Sequence, residues 1–380
     1  MTDNPPGLDL ANRAPVTGDA PGRIPVSEPK QVVAVTNLAQ LVTLVPYLLG
    51  FRPSSGDMVA MGMVPPGNRI HLTLRWDLPD PDIPVLAAAH ARRAVAALAA
   101  SGCTQVAVVG FGSDRLVAPS ITVAREAAKT AGLKVWDLLR ADGGRCWSYL
   151  CTDPACCPPD GTPCSPLGDP VAAACQAAGV RVLAGRDVLA ATIAPATGAE
   201  AASMRAAVLR AARRSARNTA RQAKRRAAGK DSRPNATAGH RAVKAAITTY
   251  RRGGTITSHD ELAWLALALS RTPVRDLAWA LMDPGHHDAH ARLWTALTRL
   301  AVPGLVAAPA SLLALCAWQA GNGALAQIAL DRALDDDPGY PMGRLIRDAV
   351  TSAAPPSLAD PALVLRHTRA ASGGHPAGLT

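Results

Sequence analysis

Aromatic side chains are scarce in this chain: two Phe, four Tyr and seven Trp make up 3% of 380 residues. Packing must rest on Leu, Val and Ala, with the tryptophans as the large pieces. Long apolar runs are missing too. No stretch approaches the roughly 18 residues that cross a bilayer. Residues 1–30, rich in Pro, Gly and Asp, hold no apolar segment of the kind that directs secretion. Both absences predict a cytoplasmic protein without membrane contact. In that compartment the eight cysteines are expected to stay reduced, which excludes a disulfide framework. Catalytic signatures are equally sparse. There is no Gly-x-x-x-x-Gly-Lys-Ser/Thr phosphate loop, no Gly-x-Ser-x-Gly elbow and no carboxylate pair spaced for acid–base work. The reading leans away from an enzyme.

What is present is an apolar content of 48% with 18% charged residues, normal for a globular chain long enough for two domains. From 31 to 197 strands and helices alternate. VTNLAQLVTLVPYLLGF (35–51) reads as a helix stopped by Gly50; DMVAMGMV (57–64) and RIHLTLRWDL (69–78) read as hairpin strands around a PPGN turn. A helix at 84–102, a buried strand at 104–112 and a helix near 120–131 follow. Strands at 133–141 and 144–151, a helix near 169–178 and a strand at 180–185 complete the series. This order predicts an α/β N-terminal domain, a mixed sheet with flanking helices. Residues 1–30 and 357–380 lack periodicity and read as disordered tails.

From Ser258 the pattern is helical only. Ser258 and Glu261 have capping-box spacing, and further helices fall near 274–282, 287–300, 309–320 and 323–335, predicting an all-α domain over 255–356. Between the domains, 198–254 reads as a cationic helical linker, broken at 229–239. Fifteen of the 40 Lys and Arg lie between Arg205 and Arg252, against the single acid Asp231. The rest of the chain holds 25 basic and 28 acidic residues, so this segment carries all the excess behind the net charge of +11.

Six segments carry a family likeness: VPYLLGFRPSSGDMV (45–59), LTLRWDLP (72–79), WSYLCTDPACCPPDGTP (147–163), RDLAWALM (275–282), LWTALTR (293–299) and APASLLALCAWQAGNGALAQIALDRALDDDPGY (308–340). They resemble an actinobacterial family, domain of unknown function 4192, over roughly residues 30–355. The likeness brings no activity, substrate or site with it. Cys156 and Cys157 fit its pattern, whereas Cys146 and Cys164 look particular to this chain. Residues 312–341 also resemble a tetratricopeptide-type helical hairpin, through Ala317, Gly321, Ala324, Ala329, Ala333 and the Asp337–Pro338 stop. One copy is found, where such arrays normally stack about three. That resemblance implies a protein partner for the helical domain.

The candidate sites are few. YLCTDPACCPPDGTPC (149–164) concentrates four cysteines. Structural zinc usually sits between two paired knuckles. Here Cys151, Cys156, Cys157 and Cys164 supply no second pair, and the adjacent Cys156 and Cys157 are not expected to face one ion. The expectation is a stiff loop whose thiols pack as small apolar groups, with no cofactor. Zinc on Cys151, Cys156 and Cys157 is the alternative. VVGFGSD (108–114) sets Gly110 and Gly112 after a strand, where an anion could bind, but Arg115 stands at the third glycine position and a tight turn is expected. Asp142, Arg145, Trp147 and Tyr149 cluster beside the cysteine loop and mark the rim of any small-ligand pocket. DPGHHDAH (283–290) offers Asp283, His286, His287, Asp288 and His290 to a metal, but lacks the Glu of a hydrolytic zinc helix.

Arg210, Arg214, Arg217, Arg221 and Lys224 follow helical 3/4 spacing with Arg213 beside them, a face suited to nucleic acid or another polyanion. Residues 200–249 hold no aromatic, so base stacking is excluded there. Docking of this helix on acidic parts of the same protein is the plainer alternative. The leading expectation is a non-catalytic cytoplasmic interaction or regulatory protein. The competing ones are an enzyme or small-ligand binder at 110–114 and 147–157, and polyanion binding through 205–226.

Overall fold

Asn37 opens the first helix because its side chain accepts the Gln40 amide, and the Gly50 amide closes it by returning to the Pro46 carbonyl. Helix α1 (Leu38–Leu49) thus lies within the predicted span. The computed structural model describes residues 7–9, 32–78, 84–228, 236–352, 354 and 356–359. Backbone contacts divide the chain into two units, one running to Leu189 and the other from Ala190 to Thr351. No helix among the described residues is long and apolar enough to cross a membrane.

The first unit is built on strands β1 (Gly7–Asp9), β2 (Val32–Ala34), β3 (Asp57–Val64), β4 (Arg69–Asp77), β5 (Gln105–Phe111), β6 (Lys134–Asp142), β7 (Arg145–Ser148) and β8 (Thr162–Pro163). They form one mixed sheet in the order β2-β1-β4-β3-β5-β6-β7-β8. The β5–β6 and β1–β4 pairings are parallel and the others antiparallel. Helices α2 (Pro84–Ala100) and α3 (Asp114–Thr130) pack on each other, and their apolar faces close a core with Met58, Ala60, Val106, Val108 and Leu138. Strand alternation sends Val59, Met61, Ala107 and Val109 to the opposite face, and these are buried as well. A sheet covered on both sides explains why its central strands read as near-continuous apolar runs.

Several expectations need correction here. Helix α3 starts at Asp114 rather than near residue 120, because Pro119 lies inside it instead of opening it. The 180–185 segment is no strand. Only Phe51 and Leu183 bridge, and α5 (Arg186–Ala191) begins at once, leaving no length for a ladder. β7 ends at Ser148, short of the predicted 151, because the Ser148 hydroxyl takes the next amides. Residues 7–9, within the stretch read as disordered, form β1; residues 357–359 belong to a 3₁₀ turn, Pro356–Ala359. The rest of both predicted tails lies outside the described residues. Helix α4 (Pro170–Ala177) matches its prediction and is capped by Asp169.

The second unit is helical: α6 (Gly198–Ala227), α7 (Ala236–Arg251), α8 (His259–Leu269), α9 (Thr272–Ala280), α10 (His287–Leu300), α11 (Ala307–Gln319), α12 (Gly323–Asp336) and α13 (Pro341–Thr351). The stretch read as a linker is part of it. α6 packs along α8, and α7 packs against α8, α9 and α10. Met204, Ala207 and Ala211 form the buried stripe of α6, which its charge obscured in the sequence. Residues 229–235 of the predicted break lie outside the described residues, while 236–239 are helical. Helix α11 is buried along nearly its whole length, with α10, α12 and α13 around it. A helix apolar on all sides belongs at such a centre, where each buried leucine contributes ~1.5–3 kcal/mol. Asp336, read only as a helix end, accepts the amides of Gly304, Val306 and Ala307 and so caps α11 from thirty residues away.

Candidate functional site

The carboxyl end of β5 is filled by neighbouring side chains. A Cβ at Gly110 would lie 2.3 Å from Val117 Cγ1, and one at Gly112 would lie 2.8 Å from Ser55 Oγ. The Gly112 amide already donates to the Ala141 carbonyl. These glycines admit close packing between elements, the tight-turn reading of VVGFGSD.

Just beyond them, Asp114 gathers residues that the sequence placed near the cysteine loop. Tyr149 Oη donates to Asp114 at 2.7 Å. Burial, and then that contact, pushes the Tyr149 hydroxyl above its ordinary pKa. Arg140 lies 3.8 Å from Asp114 and 3.8 Å from Asp142, with its guanidinium 3.6 Å over the Trp147 ring. The cause is register. Gly143 and Gly144, with φ of 56° and 77°, make a two-residue turn that sets Arg140 opposite Trp147 and Asp142 opposite Arg145. Asp142, Trp147 and Tyr149 therefore meet through Asp114, the last residue of the 110–114 candidate stretch, and through Arg140, which the sequence reading missed. The available signal for Arg140 was the alternation of β6. Arg145 instead donates to the Gly161 carbonyl at 2.6 Å.

The cysteine loop is tied from both sides. Ser148 Oγ accepts the amides of Leu150 and Cys151, each at 3.0 Å, and donates to Asp137 at 2.8 Å. Burial raises the Asp137 pKa. Trp147 Nε1 donates to the Pro159 carbonyl at 2.9 Å. Gly161, at φ 79°, passes so close to the indole that a Cβ would lie 2.5 Å from it. Within the loop, the Asp153 carbonyl accepts the amides of Cys156 at 3.2 Å and Cys157 at 2.7 Å. That single turn brings adjacent thiols to one side, against the expectation that they diverge. The sulfurs of Cys151, Cys156 and Cys157 all lie within 4.8 Å of one another.

Nor do these thiols pack as core groups. Cys156 is exposed and Cys151 and Cys157 are half-buried, whereas Cys103, Cys146, Cys175 and Cys316 are buried. The Asp153 amide donates to the Cys151 sulfur and, with the neighbouring thiols, draws its pKa down. Desolvation, followed by the hydrogen bond to Cys151, pushes Cys157 up. Cys146 and Cys164 form a separate pair in which the Cys146 thiol donates; that bond raises Cys146 and lowers Cys164.

The histidine cluster does not converge. Asp283 pairs with Arg251 and, at 2.8 Å, with His286, while His290 is buried beside Arg251. Burial, and then Arg251, depresses His290 to about 4. Among the described residues the thiol trio alone brings three metal-capable atoms together.

On α6 the candidate cations divide. Arg210 pairs with Asp260 at 2.8 Å, and the Arg214 guanidinium lies 4.4 Å over Trp264. Both partners sit on α8, one helical turn apart. Arg213, Arg217, Arg221 and Lys224 are exposed and have no ion pair among the described residues. Beside them runs an open trough lined by Ala212, Ala216, Ala220, Ala223 and Leu267.

A family model described as a domain of unknown function (DUF4192) matches residues 39–357. Neither a curated protein nor a solved structure matches the chain.

Proposed function

The chain belongs to the DUF4192 family, and from that premise we propose that it is a non-catalytic interaction protein whose helical unit receives a polyanion along α6. One observation carries the reading. Arg213, Arg217, Arg221 and Lys224 are exposed and unpaired among the described residues, while Arg210 and Arg214 engage Asp260 and Trp264. At 1.5 Å per residue the free row spans about 16 Å, enough to meet several phosphates and release their counterions. Without an aromatic between residues 200 and 249, the contact is with a nucleic-acid backbone and is indifferent to sequence. The competing enzyme or ligand-binding reading draws less support, since Val117 and Ser55 crowd Gly110 and Gly112.

The same proposal takes the α11–α12 hairpin as tetratricopeptide-like, on the burial of Ala317, Ala329 and Ala333. It takes the setting as cytoplasmic and actinobacterial, on eight free cysteines and an Ala- and Arg-rich composition. The test is fluorescence anisotropy of a labelled random-sequence DNA duplex titrated with the full chain. Binding is expected at low salt and is expected to disappear when Arg213, Arg217, Arg221 and Lys224 are all changed to Ala. Equal affinity in the two proteins overturns the reading.

A further inference from the structure

We propose that Cys151, Cys156 and Cys157 form a binding site for zinc, with the fourth coordination position taken by solvent or an exogenous ligand. The geometry is the ground for it. Three sulfurs lie within 4.8 Å of one another, and Cys156 and Cys157 are 4.0 Å apart. Tetrahedral zinc with Zn–S bonds of about 2.3 Å needs sulfurs about 3.8 Å apart. Each thiol therefore has less than about an ångström to move.

The turn that brings them together is built by hydrogen bonds that do not involve sulfur. The Asp153 carbonyl holds the Cys156 and Cys157 amides, and Ser148 Oγ holds the Cys151 amide. Below the loop, Trp147 and Arg145 fasten Pro159 and Gly161. The ligands are thus held in place by the fold, which lowers the ordering cost of binding. The Asp153 amide donates to the Cys151 sulfur, the kind of contact that favours a thiolate. Soft thiolates select zinc over the hard cations magnesium and calcium.

The nearest other thiols do not complete the shell. Cys146 and Cys164 hydrogen-bond to each other, and Cys146 is buried. Cys156 is exposed, so the remaining position opens to solvent. Three protein ligands with an accessible fourth position define an open site rather than a closed structural one. Binding is written as three thiols releasing three protons to buffer and three Zn–S bonds forming, with no change of oxidation state.

The experiment uses the full reduced chain, exchanged into buffer with one equivalent of zinc and weighed by native mass spectrometry. One zinc per chain is expected, along with a thiolate-to-metal charge-transfer band when cobalt replaces it. Cys156→Ser is the informative variant, because the residue is exposed and the change should leave the circular dichroism unaltered. It should weaken zinc beyond the roughly 10–100-fold that a change outside the coordination shell produces, as judged by competition with a chromophoric chelator. Cys164→Ser should bind as the unchanged chain does. The proposal is overturned if the unchanged chain retains no zinc, if Cys156→Ser binds equally well, or if Cys164→Ser loses zinc to the same degree. It is also overturned if the chain loses a pair of hydrogens to a Cys151–Cys157 disulfide instead of taking up metal.

Discussion

In the sheet, Arg75 is held between Asp57 and Asp77, and Arg140 lies between Asp114, Asp142 and the Trp147 ring. On α6, by contrast, Arg213, Arg217, Arg221 and Lys224 face solvent, on a helix whose buried stripe is Met204, Ala207 and Ala211. The first arrangement satisfies charge where strand register brings opposite signs together. The second concentrates one sign on a helix whose packing engages only Arg210 and Arg214 and leaves those four unpaired among the described residues. The difference separates arginines that hold a fold from arginines available to something else.

The strongest way to test the first half of this contrast is Arg75→Ala. Asp57 is 2% exposed and would lose its charged partner. Breaking one side of a buried pair costs ~3–5 kcal/mol, read as a lower denaturant midpoint for the first unit. DNA affinity should not change. A smaller loss would mean that the Ser54 amide, which also donates to Asp57, suffices to hold the carboxylate.

The helical unit has its own buried ionisable group. His290 faces Arg251, Asp283, His286 and His287 and is depressed from 6.5 to about 4. Its neutral form is favoured in the folded state, so the unfolded chain binds the proton first as pH falls. The associated stability is complete above pH 6.5 and is lost progressively down to about 4, amounting to ~3 kcal/mol. Thermal unfolding of the helical unit at pH 7.5 and 4.5 measures it. His290→Gln should remove this part of the pH dependence.

Gly161→Ala tests the stiffness of the cysteine loop. The added methyl meets the Trp147 indole at a positive φ, and a loss of ~1–3 kcal/mol in the first unit is expected. Smallest of all should be the effect on folding of changing Arg213, Arg217, Arg221 and Lys224 together to Ala. Exposed positions without partners shift stability by less than ~0.5 kcal/mol each. A large destabilisation would erase the contrast between the units.

Much of the fold was legible. Gly50 and Ser258 announce helix ends, and the alternation of β4 places Leu72, Leu74 and Trp76 against the first core. Helix α13 was not foreseen, although Pro341 stands at its start and Met342 and Ile346 bury one face. The helical reading ends at the Asp337–Pro338 stop and places no helix after it. Strand β8 is two residues long and owes its place to Arg145 and Cys146 on β7, a pairing that no local pattern encodes.

At the candidate sites the limit was similar. The cationic row follows from helical spacing alone, but its division into paired and free members depends on Asp260 and Trp264 of another helix. Cys151, Cys156 and Cys157 stand in the sequence as the alternative for zinc, but their spacing does not show that the sulfurs converge. Four residues between Cys151 and Cys156 say nothing of a carbonyl at Asp153 that takes two amides and turns the chain back.

The salt dependence of DNA binding addresses the central claim most directly. The logarithm of affinity falls with the logarithm of salt at about −0.9 per phosphate neutralised. Loss of four cations should therefore flatten the slope by up to about 3.6 in the Arg213, Arg217, Arg221 and Lys224 alanine variant. That result would establish the free row on α6 as the contact surface. An unchanged slope would show that the polyanion, if bound at all, is held elsewhere.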